Sequence, residues 1–529
     1  MSSDKPADGA HFRASAGIAA ATNATIANLS FAHPSFAQVL VALLVLTAIR
    51  IVGLHFSVVD LFFDEAQYWA WSRELSFGYF SKPPLLAWVI AATDPICGSG
   101  EACVRLGSPL LHLGTSLLVY AVAEKLYGRQ TAAWSALAFA LGTGLTFSAR
   151  IISTDVPLLF FWAAALLAYI NLLGKPDWRW AIVLGVSFGL GMLAKYAMLY
   201  FVLCAALACI FDRDARTVAM RPQTWIALLI GILLLLPNVY WNAANDFLTF
   251  KHTGDNIAGD GFRLQFSGAA GFIGGQFAVA GPMVFAVFLL ILVRHLGSSV
   301  IPQDRLMLAF AVPPLLLVTA LSLVRDAHAN WAASAAVSMT VLAVAWWLRH
   351  GWKYWLRGTI AVGLVMQAAL LAGDAFADRL TVPALGPKAD LYQRTLGWRA
   401  LGARTAELVR TVGARTVASE GRAETAALIY YLRDIPVRVE SWPGSRIPDH
   451  HFDLTRPLDA SAAEPIVLVS QCGLASRVRR FYRDVTLLGD VTVATGPTST
   501  RQFLAFKAAG RKRSIEPIGS CVPAQEASE

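Results

Sequence analysis

Residues 36–72 read FAQVLVALLVLTAIRIVGLHFSVVDLFFDEAQYWAWS. The run from Phe36 to Val59 is mostly apolar and, wound as a helix, long enough to cross about 30 Å of hydrocarbon. No cleavage signal adjoins it, so it is expected to remain as a first membrane span. Two adjacent carboxylates follow, Asp64 and Glu65, and then Tyr68, Trp69 and Trp71. That order predicts an aromatic, amphipathic helix lying along the membrane surface where the chain leaves the bilayer.

The rest of the chain agrees with a membrane reading. Of 529 residues, 56% are hydrophobic and only 15% charged, with a mean hydropathy of +0.53, which is poor for a water-soluble protein. A net charge of +9 could suggest nucleic acid, but the basic residues stand singly between apolar runs instead of forming a stripe. Residues 1–35 lack a basic-then-apolar signal pattern and read as a flexible cytoplasmic tail. Further apolar runs fall near 105–124, 131–149, 156–174, 180–194, 197–211, 224–240, 269–293, 306–323, 331–348 and 358–375. The expectation is an α-helical polytopic protein of about 11 to 13 spans, with residues 36–375 as its membrane domain. The two short runs flanking Lys195 read either as one bent span or as two half-buried helices.

Lys and Arg collect in alternate loops, such as Lys125 with Arg129 and Arg213 with Arg216 and Arg221, which puts the N-terminus inside. Asp64, Glu65, Lys82, Asp155, Lys195, the 238–268 loop and the Arg325–Trp331 segment then fall on the outer side. Polar residues converging on one face of a bilayer protein point to a site there. Cys97 and Cys103 in the 60–104 loop, and Cys472 and Cys521 near the C-terminus, make two local pairs of disulfide candidates suited to an oxidising compartment. Beyond residue 376 the pattern becomes a small mixed α/β domain, 376–529, expected to be periplasmic. Its predicted strands are Thr416–Ser419, Pro465–Val469, Thr486–Leu488, Val491–Ala494 and Phe503–Phe506, with a helix over Ala423–Leu432. Without a phosphate loop or metal-spaced Cys/His set, this domain is expected to carry no chemistry.

Three segments single themselves out: Asp64-Glu65, then Tyr79-Phe80-Ser81-Lys82-Pro83-Pro84, then Ser153-Thr154-Asp155-Val156-Pro157. Lys195-Tyr196, Trp241-Asn242 and Asn330-Trp331 add weaker support. In order and in side, the set resembles the C-type (GT-C) polytopic glycosyltransferases, in the bacterial branch related to protein O-mannosyltransferases and to the lipid A aminoarabinose transferase, over the membrane region to about residue 375. The resemblance implies inverting sugar transfer from a polyprenyl-phosphate donor, which needs a base for the acceptor hydroxyl and cations for the departing phosphate. Asp64 is then the base, with Glu65 and Asp155 as further acids, and Lys82, Tyr79 and Lys195 hold the phosphate. Tyr68, Arg150, His252, Arg325 and His328 are candidate contacts to acceptor or sugar. No cofactor is certain, and use of a divalent metal ion stays open. The aminoarabinose transferases often carry an acid where this chain has Ser81, so a uronic or neutral sugar is a live alternative. A sugar carboxylate would call for another cation, such as Arg150, Lys251 or Arg325. Lipid A, lipopolysaccharide core or another cell-envelope glycan is the implied acceptor, at the periplasmic face of a bacterial inner membrane.

Plainer explanations exist for each residue. Asp64 and Glu65 could be a polar loop, Asp155 a helix cap, Lys82 and Lys195 interfacial lysines, and the tryptophans a membrane belt. Two other functions compete: a transporter or flippase of lipid-linked sugars, and a protein O-glycosyltransferase. A transporter tends to show internal repeats and charges within spans, whereas here no repeat stands out and the charges sit at span ends.

Overall fold

The computed structural model describes residues 34–258, 264–295, 300–381, 390–473 and 475–517. The tail over 1–33 and Cys521 lie outside the described residues. Helix Phe36–Phe56 opens with a capping box: the Ser35 hydroxyl accepts from the Gln38 N–H, and the Gln38 side chain accepts from the Ser35 N–H. Among the described residues six helices are long and apolar enough to cross a membrane: Phe36–Phe56, Glu101–Tyr127, Asp155–Gly174, Pro222–Ala244, Pro302–Ser322 and Lys353–Ala375, the fifth being interrupted near Phe310. Shorter apolar helices pack among them, including Trp178–Ala194, Pro282–His295 and Ala335–Arg349.

Apolar runs and helices do not correspond one to one. The run at 131–149 breaks at Leu141-Gly142 into Arg129–Ala140 and Thr143–Ser148. The run at 269–293 breaks at Gly281-Pro282, where proline's missing N–H starts a new helix instead of continuing the old one. At Lys195 the backbone is extended (φ −161°, ψ 133°), so a true break separates Trp178–Ala194 from the 3-10 turn Tyr196–Leu199 and helix Tyr200–Phe211. Small residues let neighbouring helices approach: a Cβ on Gly185 would lie 2.6 Å from the Ala227 carbonyl oxygen of helix Pro222–Ala244.

The C-terminal region forms a five-stranded mixed sheet. Its strands are β1 (Thr416–Ser419), β2 (Arg438–Ser441), β3 (Ile466–Ser470), β4 (Tyr482–Ala494) and β5 (Thr500–Arg511), in the order β2-β1-β3-β5-β4. Strands β2, β1 and β3 run parallel, with Val417 opposite Val439 and Val467, and β1 and β3 are buried throughout, as parallel strands covered on both faces require. The two short strands expected at 486–488 and 491–494 are one long strand, β4, whose register slips at Leu487/Gly489. The polar Arg438–Ser441 strand and the helix Trp398–Val412 had no counterpart in the hydrophobic pattern.

Helix Arg422–Tyr431 leaves β1 and packs on helix Phe63–Arg73, with the Tyr430 ring edge-on to Trp69 at 4.9 Å. Leu61, Tyr68, Trp69 and Trp71 therefore share one apolar core with Val417, Val439 and Tyr430. This corrects the expectation of a helix lying open on a membrane surface, because the sheet domain covers it. Polar contacts fasten the junction. Tyr431 accepts from the Leu61 N–H at 2.9 Å and donates to Glu101 at 2.6 Å, and Arg399 bonds Glu101 at 2.5 Å and reaches Asp60.

Burial pushes the Asp60 carboxyl up to about 6 against the opposing pull of Arg399. The docked state therefore holds this proton more tightly than a solvated aspartate at about 3.9 does. Asp60's contribution to docking is full below that value and is lost as pH rises through about 6. Asp60→Asn, which cannot ionise, should flatten this dependence, measured as amide exchange around Leu61 between about pH 3.5 and 7, a window that brackets both values. An unchanged pH profile in the variant would refute it.

Candidate functional site

Successive helical residues point about 100° apart, so Asp64 and Glu65 at the start of one helix cannot face the same surroundings. Glu65 turns inward and is 2% exposed. Its oxygens accept from Arg105 at 2.7 and 3.0 Å, from the Phe62 N–H at 3.0 Å and from the Ile152 N–H at 2.9 Å. Arg105 also donates to the carbonyls of Val59 and Asp60. A carboxylate so enclosed is an anchor for three chain segments. Asp64 turns outward, with its side chain 34% exposed, and one oxygen forms an ion pair with Arg422 Nη1 at 2.8 Å.

The Lys82 loop is held from several sides. The Tyr79 N–H donates to the Lys82 carbonyl, the Asn238 side chain to the Phe77 carbonyl at 2.7 Å, and Thr249 to the Tyr79 carbonyl at 2.6 Å. Tyr196 in turn donates to Asn238 at 2.8 Å. Gly78 is required here, since a Cβ would lie 2.4 Å from the Trp241 ring. Tyr79 itself is 1% exposed, stacked on Trp71 at 4.5 Å, with its hydroxyl directed at the Trp71 and Glu74 carbonyls and accepting from the Ser76 N–H. Its hydroxyl thus braces the loop. Lys82 differs. Among the described residues it has no carboxylate within ion-pair range, and burial, then the nearby Lys195 charge, hold its ammonium below the ordinary lysine range, with Asp64 and Asp155 opposing.

Asp155 opens helix Asp155–Gly174, yet its carboxylate does not cap the helix. One oxygen pairs with Lys195 at 2.7 Å and the other accepts from the Asn330 amide at 2.7 Å, so the plain capping explanation fails. The break at Lys195 is what lets this side chain reach back to Asp155. Tyr68, 6% exposed, lies within the fields of Asp64, Arg422 and Asp155, and burial raises its hydroxyl well above the usual value. Asp64, Lys82, Asp155, Lys195 and Tyr68 thus share one electrostatic environment.

The remaining candidates are placed differently. Arg150 is paired with Asp374 at 2.5 Å and with the Tyr392 hydroxyl, so it bridges chain segments at the junction. His252 packs against Phe80, beside the Lys82 loop, and His328 against Trp331. Arg325 is half-buried just after helix Val312–Ser322. No group of three His, Cys, Asp or Glu side chains among the described residues could hold a metal ion. Cys97 and Cys103 form a disulfide, and Cys472 is disulfide-bonded. Reading the sequence missed Arg105 and Arg422. Neither has a local signal, since one is a lone arginine at the start of an apolar run and the other belongs to the domain expected to carry no chemistry.

Comparison with known proteins follows the same lines. Residues 81–241 match the family model described as dolichyl-phosphate-mannose-protein mannosyltransferase. The lipid A galacturonosyltransferase RgtD of Rhizobium johnstonii is 32% identical over 80% of this chain and 88% of its own length. The lipopolysaccharide core galacturonosyltransferase RgtA of the same organism is 26% identical over 37% of this chain and 39% of its own. The crystal structure of ArnT from Cupriavidus metallidurans bound to undecaprenyl phosphate superposes with a TM-score of 0.62 at 15% identity, covering 92% of this chain and 100% of that one. With RgtD alike along most of both chains and the fold of ArnT throughout, the chain belongs to the C-type polytopic membrane glycosyltransferases.

Proposed function

We propose that the chain transfers galacturonic acid from a polyprenyl-phosphate carrier to lipid A or lipopolysaccharide core, at the periplasmic face of a bacterial inner membrane and with inversion. The observation that carries this reading is Lys82, a sheltered cation without a carboxylate partner among the described residues, sharing its surroundings with the solvent-reachable Asp64. One provides for a leaving phosphate and the other for an acceptor proton. Likeness to RgtD supports the sugar and the acceptor, and the bound carrier in ArnT supports the lipid donor.

In the reaction, the acceptor hydroxyl oxygen attacks the anomeric carbon, and the carbon–oxygen bond to phosphate breaks with its electron pair passing to the phosphate. Asp64 takes the hydroxyl proton, and Lys82 neutralises the departing charge. The Asp155–Lys195 pair, fixed by Asn330, positions the reacting groups. One displacement needs one base, consistent with Glu65 being engaged elsewhere. Lys82→Gln should weaken binding of polyprenyl phosphate about 10- to 100-fold, the value of a hydrogen bond to a charged group. Binding to nanodisc-embedded protein measures this, and an unchanged affinity would remove Lys82 from the phosphate site.

The function is tested by offering purified protein polyprenyl phosphates carrying galacturonic acid, aminoarabinose or mannose, together with lipid A, core oligosaccharide or peptide. Galacturonosyl lipid A or core is the expected product. Transfer only to peptide would favour the protein O-glycosyltransferase, and donor crossing the bilayer unconsumed would favour the flippase.

A further inference from the structure

Arg422 is the soluble domain's contribution to the site. It begins the helix that leaves β1, stacks its guanidinium over the Phe63 ring at 4.9 Å and pairs with Asp64 at 2.8 Å. Its side chain is still 38% exposed. The charges around the site fall into pairs: Glu65 with Arg105, Asp155 with Lys195, and Asp64 with Arg422. Lys82 remains to meet a donor phosphodiester, which carries a single negative charge. A uronic sugar brings a second negative charge, for which that arrangement holds no spare cation. Of the cations considered for that carboxylate, Arg150 is already committed to Asp374. Of the paired cations, Lys195 is 18% exposed and Arg105 3%, so Arg422 is the one most open to an incoming group. Its planar fork also suits a carboxylate in two parallel hydrogen bonds.

We propose that Arg422 is the reader of the sugar carboxylate, exchanging Asp64 for the donor's uronate when the donor binds. The exchange is a swap of ion-pair partners in which no covalent bond changes. It leaves the Asp64 oxygen, formerly held by the guanidinium, open to accept the acceptor's proton. A donor without a carboxylate leaves Asp64 paired, so the same contact rewards the right sugar and disfavours a neutral one. This rests on the transferase reading above and names its specificity residue.

The test compares wild type, Arg422→Gln and Arg422→Lys on two synthetic donors differing only at one group, polyprenyl-phosphate galacturonic acid and polyprenyl-phosphate galactose. Arg422→Gln should lose about 10- to 100-fold in kcat/KM for the uronic donor, while the galactose donor is unchanged or improved, so that discrimination collapses. Arg422→Lys keeps the charge without the fork and should fall between. Thermal unfolding and polyprenyl phosphate binding confirm that each variant is folded. Equal losses on both donors, or discrimination that survives in Arg422→Gln, would overturn the assignment while leaving the transferase reading in place. A wild-type protein that consumes neither donor would overturn both.

Discussion

Asp64→Asn should slow sugar transfer by about 10²- to 10⁴-fold, the usual value of a positioned general base, with little change in donor binding. Arg422 still stacks over Phe63 and Tyr430 still packs on Trp69, so the contact between the helix start and the sheet domain survives. What is lost is the capacity to take a proton. Single-turnover transfer measured alongside polyprenyl phosphate binding separates these effects. Wild-type rates in Asp64→Asn would show that another group serves as base.

The second large effect is on folding. Arg105→Ala should destabilise the protein by about 3–5 kcal/mol, the cost of leaving a buried charge without its partner. Arg105 and Glu65 are 3% and 2% exposed, and the guanidinium also holds the carbonyls of Val59 and Asp60. Those residues lead into Leu61, whose N–H is tied to Tyr431 of the sheet domain, so the damage spreads to the junction and to Asp64 beyond it. Glu65→Leu combined with Arg105→Met should recover much of the loss, because neither charge is then stranded. Thermal melts in detergent provide the comparison. A single variant as stable as wild type would show that the pair does not anchor the fold.

The contrast between Asp64 and Glu65 illustrates what a sequence discloses. Hydrophobic runs indicate where the chain leaves the bilayer, which is why Lys82, Asp155 and Lys195 could be grouped with the two acids although far apart in the chain. Which of two adjacent carboxylates faces the site depends on the phase of a helix and on Arg105, forty residues away, and neither is written locally. Tyr79 suits a phosphate contact by type, yet its hydroxyl points at the carbonyls of Trp71 and Glu74, at the end of the preceding helix. The buried strands β1 and β3 were legible because apolar runs mark them, whereas the polar β2 and the helix Trp398–Val412 escaped. Arg422 was out of reach for a related reason: its role arises only when the sheet domain settles on helix Phe63–Arg73, and nothing near residue 422 signals that docking.

Product analysis of the wild-type reaction tests the central claim most directly. Purified protein supplied with polyprenyl-phosphate galacturonic acid and lipid A should release one polyprenyl phosphate for each sugar transferred, and the new bond should be inverted at the anomeric carbon. A retained configuration, or sugar transferred without release of the carrier phosphate, would contradict a single displacement with Asp64 as its base.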